Sequence, residues 1–188
     1  MSTLSVTTLQ GLASSPTPTK VEVASGHHLY APGHVIQVLQ TTKTDKFSTT
    51  SATAVDVTGL SVDITPQSAN NKVLVSCSLN WGGSNNVYGG VLLKRGSTTL
   101  SPSTDATGNQ IATTFGLGGD NENFTFKTHM ATYQFLDTPN TTSSTTYKVQ
   151  VLSSYNSETF TINAPNNDAD DVYIVKGTST ITVMEIAQ

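Results

Sequence analysis

From Val35 onward the chain alternates apolar and polar residues with a period of two over short stretches, and Gly, Asn and Pro punctuate those stretches. Turn signals recur at roughly 8–12 residues, the spacing of a sandwich or barrel of short strands. Leu60, Val62 and Ile64 project to one face of a half-buried strand while Ser61 and Asp63 project to the other. Residues 72–79 repeat the pattern, with Val73, Val75, Cys77 and Leu79 on one face and Leu74, Ser76 and Ser78 on the opposite one. The same reading predicts strands at residues 35–40, 54–57, 87–94, 98–100, 110–115, 124–135, 146–152, 160–162, 172–175 and 179–186. Gly96, between Arg95 and Ser97, supplies the positive φ of a tight hairpin, and Asp137-Thr138-Pro139-Asn140 is a turn. The strength of the last strand predicts a place inside a sheet. No segment repeats the i, i+3, i+4, i+7 recurrence of a helix over ten residues, so helix content should be very low.

Residues 1–33 differ in character. Leu4-Ser5-Val6 and Val21-Glu22-Val23 are short apolar pieces on either side of Ser14-Ser15-Pro16-Thr17-Pro18-Thr19, a run that prefers extended geometry. Leu4, Val6 and Leu9 are too few to form a core, so they are expected to dock against something else. The expected fold is therefore all-β: an antiparallel β-sandwich over residues 34–188 preceded by an extended N-terminal arm over residues 1–33. The long polar connection at residues 101–123 should lie at an end of the sandwich or over a neighbouring subunit.

Composition reinforces this picture. Charged residues make up 12% of the chain, and Ser and Thr crowd into runs such as Thr141-Thr142-Ser143-Ser144-Thr145-Thr146. These hydroxyls favour strands and turns over helices. A net charge of −4 with nine scattered basic residues argues against nucleic-acid binding, which needs clustered Lys and Arg. A lone cysteine, Cys77, cannot close an internal disulfide, so stability must come from packing or subunit assembly. No apolar run approaches the roughly 20 residues of a membrane span, and residues 1–11 lack the pattern of a secretory leader. The expectation is a soluble protein without membrane insertion or conventional export.

Candidate chemistry is sparse. Asp168, Asp170 and Asp171, beside Asn166 and Asn167, are hard oxygen ligands suited to calcium, but the loop lacks the glycine and late glutamate of an EF-hand. The competing reading is a solvated acidic turn. His27, His28 and His34 lie close in sequence, yet adjacent residues of an extended chain face opposite ways, so one chain cannot bring His27 and His28 to one ion, whereas a single His from each of three chains could; the competing reading is exposed or hydrogen-bonded histidines. No nucleophile elbow or phosphate-binding loop is present, and Glu22, Glu122, Glu158 and Glu185 show no pairing of the glycosidase kind. No catalytic residue, cofactor site or enzymatic activity is expected. Trp81, followed by Gly82-Gly83-Ser84-Asn85-Asn86 and Tyr88, is a candidate glycan platform, against the alternative that a lone tryptophan sits in the core or at a subunit contact.

Three stretches carry a family resemblance: residues 2–10, Ser25-Gly26-His27-His28-Leu29-Tyr30-Ala31-Pro32-Gly33-His34-Val35-Ile36-Gln37-Val38, and Phe135-Leu136-Asp137-Thr138-Pro139-Asn140 with Thr146-Tyr147-Lys148-Val149-Gln150-Val151. In these the chain resembles virion structural proteins of tailed phages, marine and cyanobacterial ones in flavour. The resemblance implies a jelly-roll or tumour-necrosis-factor-like sandwich that forms homotrimers on the virion surface, as a capsid decoration or a tail fibre. Its implied partners are further copies of itself, phage capsid or tail proteins and, for a fibre or adhesin, host surface polysaccharide. An arm of about 33 residues without heptads or collagen-like repeats suits decoration or cementing of a capsid better than a fibre shaft. Leu4, Val6 and Leu9 are the expected arm anchors.

Overall fold

The computed structural model describes residues 31–118, 124–155 and 158–188. Eleven strands are formed there: β1 (Val35–Lys43), β2 (Phe47–Thr49), β3 (Val55–Ile64), β4 (Lys72–Gly83), β5 (Tyr88–Arg95), β6 (Thr98–Thr99), β7 (Phe115–Gly118), β8 (His129–Asp137), β9 (Thr145–Ser153), β10 (Phe160–Ile162) and β11 (Ser179–Ile186). The only helical element among the described residues is a 3-10 turn at Phe124–Phe126.

Two antiparallel sheets result. The first runs β1-β11-β4-β8; past Ser78, β10 takes over the side of β4 that β11 occupies, and β2 pairs with β10. The second runs β3-β9-β5, with β6 and β7 both on the far side of β5. Leaving aside β2, β6 and β10, the orders β1-β11-β4-β8 and β3-β9-β5-β7 are those of a jelly roll, in which successive strands cross between sheets as two Greek keys.

The inward sides of both sheets supply the core. Val73, Val75, Cys77 and Leu79 of β4 and Ile181 and Val183 of β11 face Leu60, Ile64, Leu93, Tyr147, Val149 and Val151 of the second sheet, and all are fully buried. Alternation alone would put Val57 and Leu60 on opposite faces. A bulge between Asp56 and Ser61, with Gly59 at φ +79°, turns both inward and keeps residues 55–64 in one strand rather than the two expected pieces.

Three expected strands are corrected. Residues 124–128 leave the strand expected at 124–135, because the Asn85 side-chain oxygen accepts hydrogen bonds from the Thr125 backbone N–H and hydroxyl and holds a 3-10 turn. The strand expected at residues 110–115 lies instead at Phe115–Gly118, after a turn in which Gln110 N–H donates to the Thr107 carbonyl. Residues 172–175 form no strand: the Ile174 N–H donates back to the Asp171 carbonyl, so the chain turns and leaves Val172 99% exposed. The three-residue β2 went unpredicted.

The sandwich has an entry end and a far end. β1 and β4 start and β8 and β11 finish at the entry end, where Gly33 N–H donates to the Ala187 carbonyl and brings in the chain from residue 31. β5 starts and β9 finishes at the far end. The expected arm anchors Leu4, Val6 and Leu9, with His27 and His28, lie outside the described residues.

Candidate functional site

At the entry end, side-chain chemistry ties the elements together. Glu185, fully buried on β11, accepts hydrogen bonds from the side-chain amides of Gln37 (2.6 Å) and Asn71 (2.6 Å) and from the Gln67 N–H (2.7 Å). Asp137 closes the other side of this end. Arg95 Nη1 donates to both its carboxylate oxygens at 2.9 and 2.8 Å, and the Tyr147 hydroxyl donates at 2.6 Å. Burial, reinforced by the Asp137 carboxylate, pushes the Tyr147 phenol well above its usual range. These buried polar groups are satisfied by one another and bind the two sheets. Their arrangement is structural.

The outward face of the first sheet is different in kind. The strand registers align Val38, Met184, Leu74 and Leu136 in one row across β1, β11, β4 and β8. The next row toward the far end is Gln40, Thr182, Ser76 and Gln134, and the third is Thr42, Thr180, Ser78 and Thr132. Not one of these side chains is charged. Val38 is 52% exposed and Leu136 45%, so the described residues leave the edges of the apolar row open. The outward face of the second sheet contrasts with it: Lys148 pairs with Asp56 at 2.9 Å, Gln150 donates to the same carboxylate, and Lys94 and Asp63 lie nearby. One face is laced with charge as a solvated surface is, and the other carries none across these three rows, with Lys72 of β4 in the row beyond, at the entry end. Interface cores are depleted of charge in this way.

The structure separates the two glycan candidates. Trp81 is only 5% exposed, stacked on the ring of Phe160 at 5.8 Å and close to His129 at 5.5 Å, so it is a core residue. Tyr88 is 45% exposed, at the far end of the second sheet, and meets Tyr155 edge to face at 5.7 Å. Tyr155 comes from the connection after β9, and no local spacing announces that it meets Tyr88.

The acidic loop also resolves into parts. Asp168 is engaged by Lys176 at 2.7 Å and Lys46 at 3.5 Å, and the Lys176 hydrogen bond holds its carboxyl below the usual carboxylate value. Asp170 and Asp171 are exposed. Among the described residues no three His, Cys, Asp or Glu side chains gather in a way that could hold a metal ion. Burial pushes the Cys77 thiol up to about 11, far from a reactive thiolate.

No protein-family profile matches the chain, and no curated protein matches it. Among solved structures it is similar to a chain of infectious bursal disease virus Gx strain, with TM-score 0.38 and 12% identity over 90% of this chain and 42% of that one. The VP2 subviral particle of the same virus gives TM-score 0.35 and 14% identity over 81% of this chain and 38% of that one. A T=1 particle derived from it gives 0.37 and 14% over 96% and 41%. The chain thus spans about two fifths of the length of these viral chains, and a likeness this distant does not transfer function.

Proposed function

We propose that this chain is a non-enzymatic structural protein of a virion, a homotrimer that decorates the particle exterior and is anchored by its N-terminal arm. The observation that carries the reading is the outward face of β1-β11-β4-β8, uncharged across its three central rows, one of them apolar. A face of this kind left in water lowers solubility, whereas buried against further copies it contributes to an obligate contact, typically on the order of 2,000 Å² or more. The tailed-phage resemblance of the sequence supplies the trimer and the virion. The described chain begins at the entry end, where Gly33 N–H donates to the Ala187 carbonyl, which agrees with an anchoring arm over residues 1–33 with Leu4, Val6 and Leu9 as its proposed contacts. Three arms tethered to one trimer act at high effective concentration, so modest affinity per arm gives lasting occupancy.

The non-enzymatic part of the reading is supported by the state of the acidic groups: Glu185 and Asp137 are consumed in structural hydrogen bonds and Asp168 in ion pairs. A second reading, a tail-fibre or receptor-binding subunit, is favoured by the exposed Tyr88–Tyr155 pair at the end opposite the arm. Gold-labelled antibody against the chain on intact particles tests both. A shell of label around the head is expected. A tuft at the tail would replace decoration by the second reading, and unlabelled particles would overturn a virion role.

A further inference from the structure

We infer that the far end carries a binding groove for a neutral oligosaccharide, built on the Tyr88–Tyr155 corner. Both rings are about half exposed and stand nearly perpendicular, at 82°. They therefore offer one flat aromatic face and, beside it, an edge with a phenolic hydroxyl. Such a corner suits a pyranose, whose C–H face packs on an aromatic ring while its equatorial hydroxyls reach polar groups at the ring's margin.

The corner is held in place. The Ser154 N–H and hydroxyl both donate to the Tyr88 carbonyl, at 2.8 and 2.9 Å, which fixes the connection carrying Tyr155 against the start of β5. Tyr88 pairs with Gly118 of β7, and its ring lies so close over that glycine that a Cβ there would stand 3.3 Å from it. Asn86, Tyr88, Ser154 and Tyr155 line a concavity of about 600 Å³, inside the range of roughly 300–1,000 Å³ usual for small-molecule sites.

A second concavity of about 350 Å³ adjoins it, sharing Ser154. The register explains its floor. Gly90 and Gly116 pair with each other on β5 and β7 and face outward; the Thr113 and Leu152 side chains cover Gly90, where a Cβ would meet them at 2.6 and 3.2 Å, so the bare part of the floor is Gly116. A Cβ at Gly116 would meet nothing nearer than 4.0 Å, leaving the space above it open. Asn109 and Gln110 wall this part with amides. No Lys, Arg, Asp or Glu lines either concavity among the described residues. Aromatic rings, amides and hydroxyls in the lining match an uncharged, polyhydroxylated ligand, and two adjoining concavities suit more than one sugar unit. This groove is independent of the assembly face, which lies on the other sheet.

Ligand-observed saturation-transfer NMR on the full chain tests the groove with maltotriose, cellotriose, mannotriose and chitotriose, with trigalacturonate as the charged counterpart. Transfer to at least one neutral trisaccharide is expected, and none to trigalacturonate. Tyr155→Ala, at an exposed position outside the sheets, should weaken binding about tenfold, the equivalent of about 1.4 kcal/mol, while Tyr155→Phe keeps the ring and binds within about threefold of the parent. Asn86→Ala gives a second reading of the same site by weakening binding without touching either ring. Absence of transfer from every neutral trisaccharide, preference for trigalacturonate, or a loss below about threefold in Tyr155→Ala would each overturn the assignment. Failure here leaves the virion role standing, because particle labelling reads that separately.

Discussion

Glu185 shows how much one buried side chain can hold. Its carboxyl gathers β1 through Gln37 and the connection between β3 and β4 through Gln67 and Asn71, all around the last strand. Glu185→Gln puts an N–H₂ where an oxygen now accepts, and the buried mismatch should cost about 1–3 kcal/mol, read as a lower urea midpoint with an unchanged slope. Cys77 gives a test in pH. Its thiol is raised in the folded chain to about 11, above the ordinary value of about 8.5, so the unfolded chain loses its proton first. The thiol's contribution is intact below about pH 8.5 and declines as pH rises toward the folded value. Denaturant melts at stepped alkaline pH should show Cys77→Ala with a shallower loss of stability over that window than the parent. The inward place of Cys77 was legible from simple alternation with Val73, Val75 and Leu79. The role of Glu185 was not, since its donors come from residues more than a hundred positions away.

At the level of strands and sheets, most of the architecture could be read from period-two alternation and turn residues. β5 with its Gly96 hairpin, β9, β10 and β11 fall where those signals put them, and β11 lies between β1 and β4, inside its sheet. What alternation could not supply is register. Leu74 looked like an outward residue of one strand; only pairing shows that Val38, Met184 and Leu136 join it in a row. The same limit left Tyr155, an ambiguous sugar-contact candidate in the sequence, without its partner Tyr88, and it left Trp81 undecided until Phe160 and His129 were seen against it. Close packing between strands gives a prediction at this scale. A Cβ on Gly89 would run into the ring of Phe160, which is fully buried and stacked on Trp81. Gly89→Ala should therefore destabilise by about 1–3 kcal/mol through overpacking, visible as a lower thermal midpoint. Gly116→Ala, with open space above it, should not shift that midpoint.

The whole molecule is polar from end to end and from face to face. The chain enters at the end where Glu185 and Asp137 lock the sheets, and Tyr88 and Tyr155 stand at the opposite end. One outward face carries ion pairs and the other carries no charge across its central rows. In the proposed assembly the latter face is buried between copies, the arms reach the particle and the far end is presented outward. Deleting residues 1–20 should leave the β-sheet circular dichroism and the number of chains per assembly unchanged while lowering occupancy on particles several-fold; full occupancy by the truncated chain would remove the arm from the account. The most direct measurement is the sedimentation mass of the purified full chain beside a Leu74→Asp, Leu136→Asp double variant. The account predicts three chains' mass for the parent and one for the variant, with the same circular dichroism. A parent that sediments as a single chain, or a folded variant that stays trimeric, would contradict it.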